Sequence, residues 1–152
     1  MQRLVSQFTN QLTEALEIGQ NANLKAAKST ISNMVITGLG GSGIGGKIAT
    51  QFVSDQLKIP VSINNDYTLP SFVSENTLVI VSSFSGNTEE TLEALRVAQD
   101  KNAEIACITS GGKLTEIAKE KGYNLITLPE AFSPRAMLTY SCLLYTSDAA
   151  DE

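Results

Sequence analysis

With 152 residues, 42% of them hydrophobic and 18% charged, the chain suits one globular domain and is too apolar to stay disordered. Its net charge of −5 comes without a basic cluster, which argues against nucleic acid as the main partner, and no apolar run reaches the ~18 residues of a membrane helix. Histidine is absent, so the commonest general base and the commonest zinc ligand are both missing and a self-contained histidine mechanism is excluded.

Leu4, Val5, Phe8, Leu12, Ala15 and Leu16 recur at helical spacing and predict an amphipathic opening helix that ends near Gly19. Residues 21–32 allow a second helix, so residues 1–32 read as a helical segment with one or two helices. From Met34 onward strand and helix alternate. Short apolar runs at 34–37, 60–63, 78–81, 105–109 and 125–128 predict strands, and amphipathic stretches at 43–56, 87–101 and 114–121 predict helices. Continuous β-branched runs such as 77–81 suit strands covered on both faces. Right-handed crossovers then give a three-layer α/β sandwich, flavodoxin-like, with a five-stranded parallel sheet over residues 33–133.

Ligands of such sheets bind outside the carboxyl ends of the strands. Three turns fall at that edge: Gly38–Gly46, Ser83–Thr88 and Ser110–Gly112. The first admits three readings. Gly38, Gly40 and Gly43 follow a dinucleotide fingerprint, with Asp66 downstream as a ribose acid; a nicotinamide-dependent dehydrogenase would use it so. Gly41, Gly46 and Lys47 have the spacing of a nucleotide P-loop, but Ile48 replaces its magnesium-binding hydroxyl. The third reading is a loop that lets backbone approach a sugar phosphate, with Ser42 adding a hydroxyl.

The second turn gathers Ser83, Ser85 and Thr88 where a buried strand enters a helix, and unpaired N–H groups and the positive dipole end favour an anion there. Helix capping is the plain alternative, with Asn87 or Ser85 as cap and Glu90 returning a bond. Glu89 and Glu90 would repel a phosphate dianion, so they are expected along the helix flank. Cys107 lies in a strand pattern with no histidine to activate it and reads as core filler.

The last residues, Cys142 to Glu152, break the preceding pattern. Their string, CLLYTSDAADE, matches one reading frame of a transposon-type sequencing adaptor, so 142–152 is expected to be a non-native tail and 134–141 the start of a truncated helix. Residues 1–7 lack the unbroken apolar core of a signal peptide, and the expected compartment is the cytoplasm.

Taken together, GLGGSGIGG from Gly38, SSFSGNTEETL from Ser82, ITSGG from Ile108 and SPRAMLTYS from Ser133 resemble the sugar isomerase (SIS) superfamily, and within it the N-terminal half of the bifunctional phosphoglucose/phosphomannose isomerases. The resemblance implies that Gly41 and Ser42 touch the sugar of a hexose 6-phosphate, that Ser83, Ser85 and Thr88 hold its phosphate, and that catalytic Arg135 stabilises charge on the reacting carbons. It implies interconversion of glucose 6-phosphate or mannose 6-phosphate with fructose 6-phosphate, with no metal or other cofactor, by a full-length homodimer. The family's base glutamate, ring-opening histidine and a further lysine come from a second SIS domain, so this chain is expected to be an inactive fragment. Two other SIS readings are a sugar-phosphate-binding regulatory module and an isomerase for a different sugar phosphate.

Overall fold

A computed structural model of the chain describes residues 8–129 together with Tyr140. The expected truncated helix, apart from Tyr140, and the expected tail lie outside the described residues, as does Arg135. Helix α1 (Phe8–Gln20) buries Ala15 and leaves Leu16 exposed. The rest of the chain alternates as expected: β1 (Asn33–Thr37), α2 (Gly41–Phe52), β2 (Val61–Asn64), β3 (Thr77–Ser82), α3 (Glu89–Asp100), β4 (Glu104–Thr109), α4 (Gly112–Lys121) and β5 (Asn124–Thr127).

The second opening helix does not form; residues 22–32 run without helix along the sheet edge. Their backbone groups are spent on distant partners. Lys25 N–H donates to Asn124 Oδ1 at 2.8 Å, Asn124 Nδ2 donates back to Lys25 O at 2.9 Å, and Asn76 Nδ2 donates to Thr30 O at 2.9 Å. Ala22 and Leu24 join the core beside α1. Tertiary bonds therefore override a weak local preference.

All four strand pairings are parallel, in the order β2-β1-β3-β4-β5. Side chains alternate across the sheet. Val35, Val79, Val81, Ile105 and Cys107 face α3 and α4, which contribute Ala94, Leu95, Ala98, Leu114 and Ala118. Ile36, Ile80, Ile108 and Ile126 face the other way, toward Ala15 of α1 and Ala49 of α2. Each fully buried Val, Leu or Ile is worth about 1.5–3 kcal/mol, so these two layers dominate the stability.

The connection from β2 to β3 has no helix. It runs over the α3 side with Leu69 and Val73 in the core, and Lys101 Nζ at the end of α3 donates to Ser71 O and Val73 O at 3.4 and 3.3 Å. Since β1 pairs with β2 on one edge and β3 on the other, the progress of the chain reverses between β1 and β3. The helices that follow these two strands, α2 and α3, lie on opposite faces. A crevice opens at such a reversal, at the carboxyl ends of the strands.

Candidate functional site

One lip of the crevice is the turn after β1. A Cβ at Gly38 would come within 2.8 Å of Ser82 O, so this turn runs directly against the end of β3. Gly40 takes φ +55 and precedes Gly41, which opens α2. Ser42 is buried, and its N–H donates to Leu39 O at 3.1 Å. A Cβ at Gly43 would lie 2.5 Å from Gly38 O and 2.6 Å from Asn65 Oδ1, so the first turn of α2 is pressed onto the turn before it and onto the end of β2. The segment Gly41 to Lys47 is thus helix, not the open loop a P-loop needs, and Lys47 is exposed on it. Asp66 accepts the N–H of Tyr67 at 2.7 Å and closes its own turn.

The other lip is the turn after β3. Ser83 is buried, and its Oγ lies 2.8 Å from Thr88 Oγ1. Gly86 N–H donates to Ser83 Oγ at 3.1 Å and Asn87 N–H to Ser85 Oγ at 3.2 Å. Thr88 is the N-cap of α3 with extended dihedrals, yet its side chain makes no capping bond; Gly40, at the N-cap of α2, has none to offer. The capping arrangement with Asn87 or Ser85 is not formed. Two helix N-termini therefore meet the crevice without a side-chain cap at the N-cap position, although at α2 the Ser42 and Gly43 N–H groups already donate to Leu39 O.

Glu89 is exposed and Glu90 half-buried. Glu89 lines an open depression of about 590 Å³ on the outer flank of α3, with Tyr67, Asn87, Leu92, Arg96 and Lys113. Partial desolvation and the Glu90 and Glu89 carboxylates beside it raise the Tyr67 phenol above its ordinary value. Both acidic side chains thus lie by Tyr67, on the flank expected from the sequence.

Five of the six expected site residues, Gly41, Ser42, Ser83, Ser85 and Thr88, sit on the two lips; Arg135 lies outside the described residues. The third turn, 110–112, has a different office. It packs against the back of 83–88 and gives that turn hydrogen bonds, although the sequence places it with the ligand-edge turns; Asn64, whose amide donates to Thr37 Oγ1 and Asp66 O at 3.2 and 2.9 Å, does not stand out in the sequence. Cys107 is buried and burial pushes its thiol up to about 12, as a core filler requires. Among the described residues no cluster of His, Cys, Asp or Glu could hold a metal ion, and no helix is long and apolar enough to cross a membrane.

Known proteins share this arrangement of sequence and fold. Over 137 residues the chain is 50% identical to a bifunctional phosphoglucose/phosphomannose isomerase of Caldicellulosiruptor bescii, covering 90% of this chain and 40% of that protein. A Thermoplasma acidophilum protein of the same name is 45% identical over 111 residues (73% of this chain, 34% of that protein), and a D-glucosamine-6-phosphate 4-epimerase of Sulfolobus acidocaldarius is 39% identical over 112 residues (73% and 35%). The chain thus spans two-fifths or less of each relative's length. A candidate phosphosugar isomerase of Clostridium difficile has the same fold, with a TM-score of 0.76 at 21% identity over 97% of this chain and 45% of that one. The SIS domain model matches residues 29–147, and the chain belongs to the SIS domain family.

Proposed function

We propose that the chain is the phosphate-gripping part of an aldose–ketose isomerase that interconverts glucose 6-phosphate or mannose 6-phosphate with fructose 6-phosphate. One observation carries the reading: at the reversal between β1 and β3, the Ser83 and Thr88 hydroxyls meet at 2.8 Å beside two helix N-termini. A phosphate dianion accepts hydrogen bonds, so hydroxyls, inward amides and positive helix ends all suit it. In this reading Ser83, Ser85 and Thr88 hold the phosphate, while Gly41 and Ser42 meet the sugar from the opposite lip. Arg135 supplies the fixed positive charge for the oxyanion that develops as a proton moves between C1 and C2 through an enediol.

The base is the part this chain lacks. With no histidine and only two-fifths of the length of the C. bescii relative, it is expected to show no isomerase activity alone. The active form would be the longer protein, as a homodimer. An apolar stripe on α2 supports a docking role: Ile44, Ile48 and Phe52, one helical turn apart, are 54%, 43% and 85% exposed. The epimerase relative favours a second reading, in which the same grip serves another sugar phosphate, since such a grip reads the phosphate and not the ring.

The test is a titration of the ¹⁵N-labelled 152-residue chain with glucose 6-phosphate, and with glucose as control, beside a coupled assay for fructose 6-phosphate. Shifts confined to 41–42 and 83–88 that need the phosphate, without turnover, are expected. Turnover by this chain alone would refute its role as the grip without the base, and shifts elsewhere would refute the site.

A further inference from the structure

The turn at 110–112 lies at the carboxyl edge but offers nothing to the crevice. Its bonds run to the carbonyls of the neighbouring turn. Phe84 O accepts from Ser110 N–H at 3.0 Å and from Ser110 Oγ at 2.5 Å. Ser85 O accepts from Asn87 Nδ2 at 3.2 Å, and the same Asn87 side chain accepts Lys113 N–H at 3.0 Å through its Oδ1. Gly86 O accepts Leu114 N–H at 3.0 Å. Three successive carbonyls, 84 to 86, are thus held by Ser110 before α4, by the Asn87 amide that is itself anchored to α4, and by the first turn of α4.

A trans peptide sends its N–H opposite to its C=O. Tying back the carbonyls of 84, 85 and 86 therefore turns the N–H groups of Ser85, Gly86 and Asn87 the other way. Gly86 N–H is shared between Ser83 O and Ser83 Oγ, both at 3.1 Å, and Asn87 N–H points at the Ser85 hydroxyl. A run of amides presented like this, around a glycine at φ +68, is a concave anion nest, and a hydrogen bond to each carbonyl polarises the amide on the same peptide unit. Two first-turn donors of α4, the Lys113 and Leu114 N–H groups, are spent in holding it. Close contact is part of the device: a Cβ on Gly112 would run into Ser85 O and come within 2.8 Å of Asn87 Nδ2.

We propose that Asn87, Ser110 and Gly112 are positioning residues for the phosphate grip: they touch no ligand, and they set its affinity by aiming and polarising the amides of 85–87. The inference rests on the reading of 83–88 as a phosphate site.

The test titrates the ¹⁵N-labelled chain and its Ser110→Ala, Asn87→Ala and Ser110→Thr variants with glucose 6-phosphate and, separately, with inorganic phosphate. Melting is followed in parallel, with the distant core variant Ile126→Val as a control for mere loss of stability. Expected are about fivefold to tenfold weaker binding for Ser110→Ala and Asn87→Ala, the equivalent of one neutral hydrogen bond. Upfield amide proton shifts at 85–87 in the free variants, recovery in Ser110→Thr and unchanged binding in Ile126→Val are expected with it. If the unmutated chain responds and the Ser110→Ala and Asn87→Ala variants bind as tightly, the positioning role is overturned; weakening by Ile126→Val to the same degree would overturn it too. If the unmutated chain gives no response at 83–88 to either probe, the phosphate reading itself falls.

Discussion

Gly86→Ala tests whether the turn after β3 is held as tightly as its contacts require, because two costs act there and each can be measured alone elsewhere in the chain. Gly86 has φ +68, and a Cβ would run into Gly111 O and come within 2.9 Å of Thr109 Oγ1. Left-handed backbone costs an L residue about 1–2 kcal/mol, and forcing a carbon into a packed position adds about 1–3 kcal/mol. Gly122 shares the first cost only: its φ of +71 and ψ of 30 are left-handed, and a Cβ would meet only the flexible end of Lys25, at 3.7 Å. Gly111 shares neither, since its φ of 166° is extended backbone and its Cβ position is open.

The expected order of destabilisation is therefore Gly86→Ala at about 2–5 kcal/mol, Gly122→Ala at about 1–2 kcal/mol, and Gly111→Ala between neutral and about 1 kcal/mol stabilising. At about 2–4 °C per kcal/mol for a chain of this size, Gly86→Ala melts several degrees below Gly122→Ala. Urea unfolding of the four proteins, with slopes compared to confirm a common denatured state, measures it. Equal losses for Gly86→Ala and Gly122→Ala would mean that the 110–112 turn gives way at no cost, and the rigid seat argued for 83–88 would be wrong.

Other expectations follow from burial and exposure. Leu95→Ala, at a side chain 1% exposed beneath α3, is expected to cost about 2–5 kcal/mol in urea unfolding, and a loss under 1 kcal/mol would contradict the packing of that layer. Ser83→Ala removes a hydroxyl 2.8 Å from Thr88 Oγ1; about 1 kcal/mol of stability and at least fivefold in glucose 6-phosphate binding should go, whereas undiminished binding would remove Ser83 from the grip. Phe52→Glu, at a side chain 85% exposed, should leave stability within about 0.5 kcal/mol and lower self-association in sedimentation velocity; unchanged association would take α2 out of the docking surface. The Cys107 thiol, raised by burial from 9.0 to about 12, should resist thiol reagents at pH 8 until the chain unfolds. Its folded value lies above its unfolded one, so its stabilisation is whole below pH 9.0 and fades as pH rises toward 12; Cys107→Ala should flatten that part of the unfolding profile, and an identical profile would refute the assignment.

The sheet is legible in the sequence because runs such as residues 77–81 are apolar on both faces, which only a covered parallel strand needs. The same property hides the strand order: a strand apolar all round does not say which neighbour it pairs with, and the β2-β1-β3 reversal emerges only from long-range pairing. Residues 21–32 mislead for a related reason, since their backbone is claimed by Asn76, Glu104 and Asn124, far along the chain. Ser83, Ser85 and Thr88 are found easily, as three hydroxyls within six residues at a strand–helix junction mark a site by side chain alone. What holds them is not so marked. The seat of that turn is built from the carbonyls of Phe84, Ser85 and Gly86, and a carbonyl is the same in every residue. Asn87 looks like a cap candidate and Gly112 like an ordinary turn glycine, because the partners that give them another task stand about 25 residues apart in the chain. Sequence patterns report groups that differ between residues, so they disclose the hydroxyls of this grip and stay silent about the backbone that aims it.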